Sequence, residues 1–135
     1  MIDVDVPFDL VSGLIVVDCA VNGTSQRFVV DTGASNTIVT AKAADALGLV
    51  HDETERQTAQ GAGGGIGAVP VTVRSFKWGD RELFDMTLIR VELDRVCGLV
   101  GDDIAGVIGA DLLSANRLTV DYPEQRLILE PAPSS

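Results

Sequence analysis

The sequence predicts an all-β fold, a small closed barrel of short strands carrying one or two short helices. Three observations carry that prediction. Apolar residues recur mostly with a period of two and are rich in Val, Ile and Thr, the pattern of half-buried strands. Turn signals punctuate the chain at short intervals, including Asn22-Gly23, Trp78-Gly79-Asp80 and Tyr122-Pro123-Glu124-Gln125. Finally, 135 residues at 46% apolar and 22% charged give the material for one core without disulfides or metals.

The elements follow in order. Val4–Leu10 is a candidate strand. Leu14–Val21 alternates in part, and Asn22-Gly23 supplies the positive-φ pair of a tight hairpin. The return strand, Arg27–Val30, runs straight into Asp31. A short helix is expected over Lys42–Leu47, with Thr40 as N-cap and Gly48 as its stop. Residues 53–67 are polar and then glycine-rich, and Val69–Val73 follows as a strand. Met86–Leu93 and Ile104–Ile108 read as further strands, the latter ending at Gly109. A second short helix is expected over Asp111–Asn116, then strands at Leu118–Val120 and Leu127–Leu129. Residues 1–130 form one domain in this account, and 131–135 a flexible tail.

Composition excludes several classes of function. Twenty acidic against ten basic residues leave a net charge of −10, which disfavours nucleic acid or an anionic membrane as partner. No apolar run approaches a bilayer span, and MIDVDVPFDL has no basic leader, so a cytoplasmic protein is expected, or a soluble domain of a longer membrane-tethered one. Cys19 and Cys97 are too few and too far apart for a disulfide framework or a zinc site, and read as core residues. The single histidine, His51, sits in the polar run HDETERQ and reads as a solvated loop residue. No nucleophile elbow accompanies it. No metal and no cofactor is expected.

Two motifs remain as carriers of chemistry. Gly63-Gly64-Gly65-Ile66-Gly67-Ala68 formally fits a dinucleotide fingerprint, but that fingerprint must open a helix, and here a strand follows. No lysine completes a phosphate loop either, so a hairpin tip fits the run better. The second motif is Asp31-Thr32-Gly33-Ala34-Ser35, in which an apolar strand delivers an aspartate to its end, followed by small and hydroxylated residues. For the tripeptide alone, an Asx-type turn at a strand end is an equally good account.

The later run Val107-Ile108-Gly109-Ala110-Asp111-Leu112-Leu113 changes the balance. Together with DTGAS, in that order, it resembles the retropepsin-like aspartic proteases, of bacterial or cellular type. The likeness runs from about Leu14 to Leu129 and takes in the VNG hairpin, the helix after the aspartate, the glycine-rich flap and the closing hairpin. It implies a retropepsin-like closed barrel acting as a homodimer, and an endopeptidase whose water is activated by paired aspartates. One DTG per chain supplies half of such a pair, so a second copy must bring the other half. Two close carboxylates share a proton because like charges at that distance cannot both ionise.

The resemblance also assigns roles. Asp31 would be catalytic, with Thr32, Gly33, Val107, Ile108 and Gly109 supporting its loop. Gly33, Ala34, Ser35 and the flap residues Gly61, Ala62, Gly63, Gly64 and Gly65 would contact a peptide or protein substrate. The chain departs from the viral members in having Ser35 and Ala110 where they place a pairing aspartate and arginine. Losing both leaves no orphan charge, but viral substrate preferences do not transfer. Ala34 stands where pepsin has a hydroxyl donor, which implies an optimum less acidic than pepsin's, at about pH 5–7. The competing expectation is an inactive retropepsin-shaped module for dimerisation or peptide binding. The Val4–Leu10 and Leu127–Leu129 strands are the expected interface edges.

Overall fold

The computed structural model describes residues 4–51, 69–91, 104–114 and 116–131. The chain opens with β1 (Val4–Pro7) and β2 (Asp9–Val11), then pairs β3 (Leu14–Val21) with β4 (Thr24–Val30). The Asn22-Gly23 turn between them takes positive φ at both residues, 50° and 85°. β5 (Ile38–Thr40) leads directly into α1 (Ala41–Leu47), followed by the two-residue β6 (Val50–His51). A long hairpin, β7 (Val69–Trp78) and β8 (Arg81–Val91), precedes β9 (Ile104–Ile108) and the four-residue α2 (Ala110–Leu113). β10 (Asn116–Asp121) and β11 (Arg126–Pro131) close the described chain.

Six strands close a barrel in the order β3-β4-β9-β5-β8-β7, sealed by pairing of Ala20 with Lys77 and Val21 with Phe76. β2 and β6 extend this sheet, while β1, β11 and β10 form a separate antiparallel sheet with β11 in the middle. β9 is the most enclosed strand, buried at every residue, as a continuous apolar run between two neighbours should be. It pairs in parallel with β4 and antiparallel with β5. Gly106 is required there by space: a Cβ would strike the Ile38 carbonyl oxygen and come within 2.8 Å of the Phe28 ring.

Alternation along β4 and β9 divides the interior in two. Phe28 and Ile108 enter the main core, where Phe28 meets Phe76 edge-on at 5.5 Å between ring centroids. Val29 and Val107, paired in register, face the other way into a smaller cluster with Val16 and Ile104. Val11, Leu14, Ala34 and Ile38 pack against that second cluster.

Several expectations need correction. Val4–Leu10 is two strands, broken at Phe8, which is buried and whose N–H reaches the Gln125 carbonyl at 3.0 Å. The β7–β8 hairpin is longer than the two runs suggested, because the inward face switches on both strands together. Val73 and Phe76 are buried in β7 around an outward Arg74-Ser75, and Phe84-Asp85 point outward in β8. Asp85 takes φ +53° at this kink. The helix expected to reach Asn116 ends at Leu113, where the Asn116 amide donates to the carbonyls of Leu112 (3.2 Å) and Ser114 (3.3 Å). His51 lies in a strand, its backbone paired with Val71, not in a loop. β11 is a central strand, so Leu127–Leu129 is not a free edge; the open edges of that sheet are β1 and β10.

Candidate active site

β4 delivers Asp31 to the end of the barrel, where its carboxylate is solvent-exposed. The backbone is pinned at once: the Asp31 N–H donates to the Ile108 carbonyl at 3.0 Å, continuing the β4–β9 ladder. The chain then turns sharply, with the Ala34 N–H donating to the Asp31 carbonyl at 3.1 Å. Within that turn the Gly33 N–H donates to Asp31 Oδ1 at 2.9 Å, which fixes the carboxylate relative to the backbone. The close approach explains the glycine: a Cβ on Gly33 would sit 3.3 Å from the same carboxylate oxygen. Thr32 and Ser35 are exposed beside it, and the Asn36 amide lies 3.4 Å from the Ser35 hydroxyl.

The loop rests on the β9–α2 junction. Val107 packs in the small apolar cluster with Ala34, which is half-buried, and Ile108 is fully buried in the main core. The Ala110 N–H donates to the Ala34 carbonyl at 2.7 Å. Gly109 has no room for a side chain, since a Cβ would lie 2.5 Å from the Asn36 carbonyl oxygen and 2.8 Å from that of Ala34. The structure thus brings together Asp31, Thr32, Gly33, Ala34, Ser35, Val107, Ile108 and Gly109. Gly61, Ala62, Gly63, Gly64 and Gly65 lie outside the described residues, as does Cys97.

Two residues at this junction were not singled out from sequence. Thr37 is a buried polar residue at 0% exposure, and its hydroxyl accepts from the Gly109 N–H at 3.1 Å and donates to Asp111 Oδ1 at 2.6 Å. Their pairing spans 74 positions, so no local pattern announces it; the only signal is a lone threonine just before an apolar strand. Among the described residues no group of three or more His, Cys, Asp or Glu is placed to hold a metal ion. No helix among them is long and apolar enough to cross a membrane.

An exposed aspartate on this turn, braced by a parallel strand and a glycine junction, can exchange a proton with a group brought to the end of the barrel. A sequence profile described as aspartyl protease matches residues 17–112, which include both DTGAS and the Gly109 junction. The chain belongs to the aspartyl protease family. Its fold is retropepsin-like. It is similar to the crystal structure of a retropepsin-like aspartic protease from Rickettsia conorii, with a TM-score of 0.61 and 22% identity over 95% of this chain and 89% of the other. It is likewise similar to the retroviral protease-like domain of Ddi1 from Leishmania major, with a TM-score of 0.58 and 17% identity over 89% of this chain and 91% of that one. At these identities the likeness is one of fold. No curated protein sequence matches the chain.

Proposed function

We propose that this aspartyl protease family member is a homodimeric endopeptidase, in which Asp31 from each of two copies forms one catalytic dyad. The observation that carries the reading is the Asp31 turn itself. It presents a carboxylate to solvent, locked by the Gly33 N–H at 2.9 Å, and the sequence holds a single Asp-Thr-Gly. A lone carboxylate can act as a base but cannot also be the acid that peptide hydrolysis needs. With a second Asp31 at hydrogen-bonding distance, one carboxyl stays protonated while the other takes a proton from the attacking water. The protonated partner then supports the developing oxyanion, and the pair titrates as a unit.

In this reading Thr32, whose hydroxyl is exposed at the same turn, reaches the opposing loop and holds the two carboxylates coplanar. Gly33 offers its carbonyl to a substrate backbone, and Ala34 and Ser35 form part of the cleft floor. Gly61–Gly65 close over the peptide. A second copy joins through the open β1 and β10 edges, whose inward residues already belong to the barrel's apolar core.

The test is cleavage of a diverse peptide mixture across pH 4 to 7 by wild type beside Asp31→Asn. Wild type should cut, and the variant should lose about 10²–10⁴-fold or more in rate. Mixing wild type with excess variant should depress activity further than dilution explains, because mixed dimers hold half a dyad. Cleavage surviving in Asp31→Asn would exclude this mechanism. No cleavage by either protein would favour a peptide-binding or dimerisation module.

A further inference from the structure

We propose that Thr37 and Asp111 are positioning residues for Asp31, a buried clamp that holds the catalytic turn against the β9–α2 junction. The proposal rests on the dyad reading above and extends it to residues that touch no substrate. The Thr37 hydroxyl has one hydrogen, and the structure uses it on Asp111 Oδ1 at 2.6 Å, a distance typical of a hydrogen bond to an ionised carboxylate. Its lone pairs then face the Gly109 N–H, 3.1 Å away, just past the end of β9. Asp111 sets the direction of the hydroxyl, and the hydroxyl satisfies the glycine.

The clamp closes a small ring of contacts. The segment from Ala34 to Thr37 meets the segment from Ile108 to Asp111 through Ala34 O with Ala110 N, Thr37 Oγ1 with Gly109 N, and Thr37 Oγ1 with Asp111. Asp31 hangs from the same frame by its N–H on Ile108. Thr37 is also tied to the barrel, its carbonyl accepting from the Ile89 N–H at 3.2 Å. Apolar packing alone does not call for a threonine here. Valine would fill the same volume but strand the buried Gly109 N–H and remove a partner from Asp111. What the hydroxyl supplies is registry between two loops, and two carboxylates meeting across a two-fold axis depend on it, since a misplacement of about 1 Å costs on the order of 10²-fold in rate.

The experiment compares Thr37→Val, Thr37→Ser and Asp111→Asn with wild type in the full chain. It reads kcat and KM separately on a peptide that wild type cleaves, and amide hydrogen exchange residue by residue. Thr37→Val should lower kcat by about 10–100-fold while KM stays within about threefold. Thr37→Ser should recover most of that loss, and Asp111→Asn, which keeps an acceptor oxygen but loses the charge, should fall between. Exchange at the Gly109 amide should quicken about tenfold or more in Thr37→Val, with the β3 and β4 amides still protected. Wild-type kcat in a folded Thr37→Val, or a serine variant as impaired as the valine one, overturns the clamp. If Thr37→Val does not fold, the serine and asparagine variants decide by the same two readouts. If wild type cleaves no peptide, exchange decides alone. Unchanged Gly109 protection in Thr37→Val overturns the clamp, whereas lost protection upholds it while the peptidase reading falls.

Discussion

Cys19 shows how one buried side chain ties stability to pH. It is 2% exposed on β3 and faces the main core. Burial pushes its thiol well above the ordinary range, and the neighbouring Asp18 carboxylate pushes the same way. The folded protein therefore keeps the thiol protonated where the unfolded chain, above about pH 8.5, releases the proton. The unfolded state then binds fewer protons, so stability must fall as pH rises through that range. The expected slope is about 1.4 kcal/mol per pH unit for this one group. Urea unfolding of wild type and Cys19→Ala between pH 8 and 10 isolates the contribution. The wild-type curve should decline more steeply by that slope, and parallel curves would place the thiol in contact with water.

At the level of elements, α1 is the clearest case of local sequence deciding local structure. Thr40 is extended (ψ 151°) and its hydroxyl accepts from the Ala43 N–H at 3.1 Å, while Gly48 ends the helix at φ +68°. With seven residues the helix cannot sustain itself by propensity, so the cap and its packing matter in proportion. Thr40→Ala should cost about 1 kcal/mol, read by denaturant midpoint, and Thr40→Ser should cost much less because it keeps the oxygen. Equal losses in the two would assign the effect to the missing methyl. Both caps were legible in sequence, as were β9, the Asn22-Gly23 turn and the Asp31 loop, because each depends on residues adjacent in the chain. What escaped depends on distant partners. The double reversal of facing at Arg74-Ser75 and Phe84-Asp85 disguises one long hairpin as two short runs. Leu127–Leu129 looks like an edge until Val4–Pro7 and Asn116–Asp121 are seen flanking it. The Thr37–Asp111 pair, 74 positions apart in the chain, exists only once β5 and β9 lie side by side.

For the whole molecule, charge and fold pull in opposite directions. Six strands close the barrel, leaving β2 and β6 as the open edges of its sheet and β1 and β10 as those of the three-stranded sheet, and the proposed dimer uses the latter pair. Of the three-stranded sheet's two basic residues, Arg117 and Arg126, the latter is engaged within the sheet, with Nε donating to Asp5 Oδ1 at 2.8 Å. Each chain nevertheless brings a net charge of −10 to the encounter. In the proposed dimer, attraction comes from strand pairing and apolar burial, which salt hardly weakens, whereas the repulsion is long-ranged and is screened within about 8 Å at physiological ionic strength. Dimer affinity should therefore rise with salt, by several-fold or on the order of 1 kcal/mol between low and physiological ionic strength. Sedimentation equilibrium over a salt series measures it directly, and specific activity at dilute protein should rise in step because a dyad requires the dimer. A dimer that weakens with salt would mean that ion pairs, not strand edges, hold the copies together. That outcome would move the interface away from β1 and β10, and with it the route by which two Asp31 turns meet.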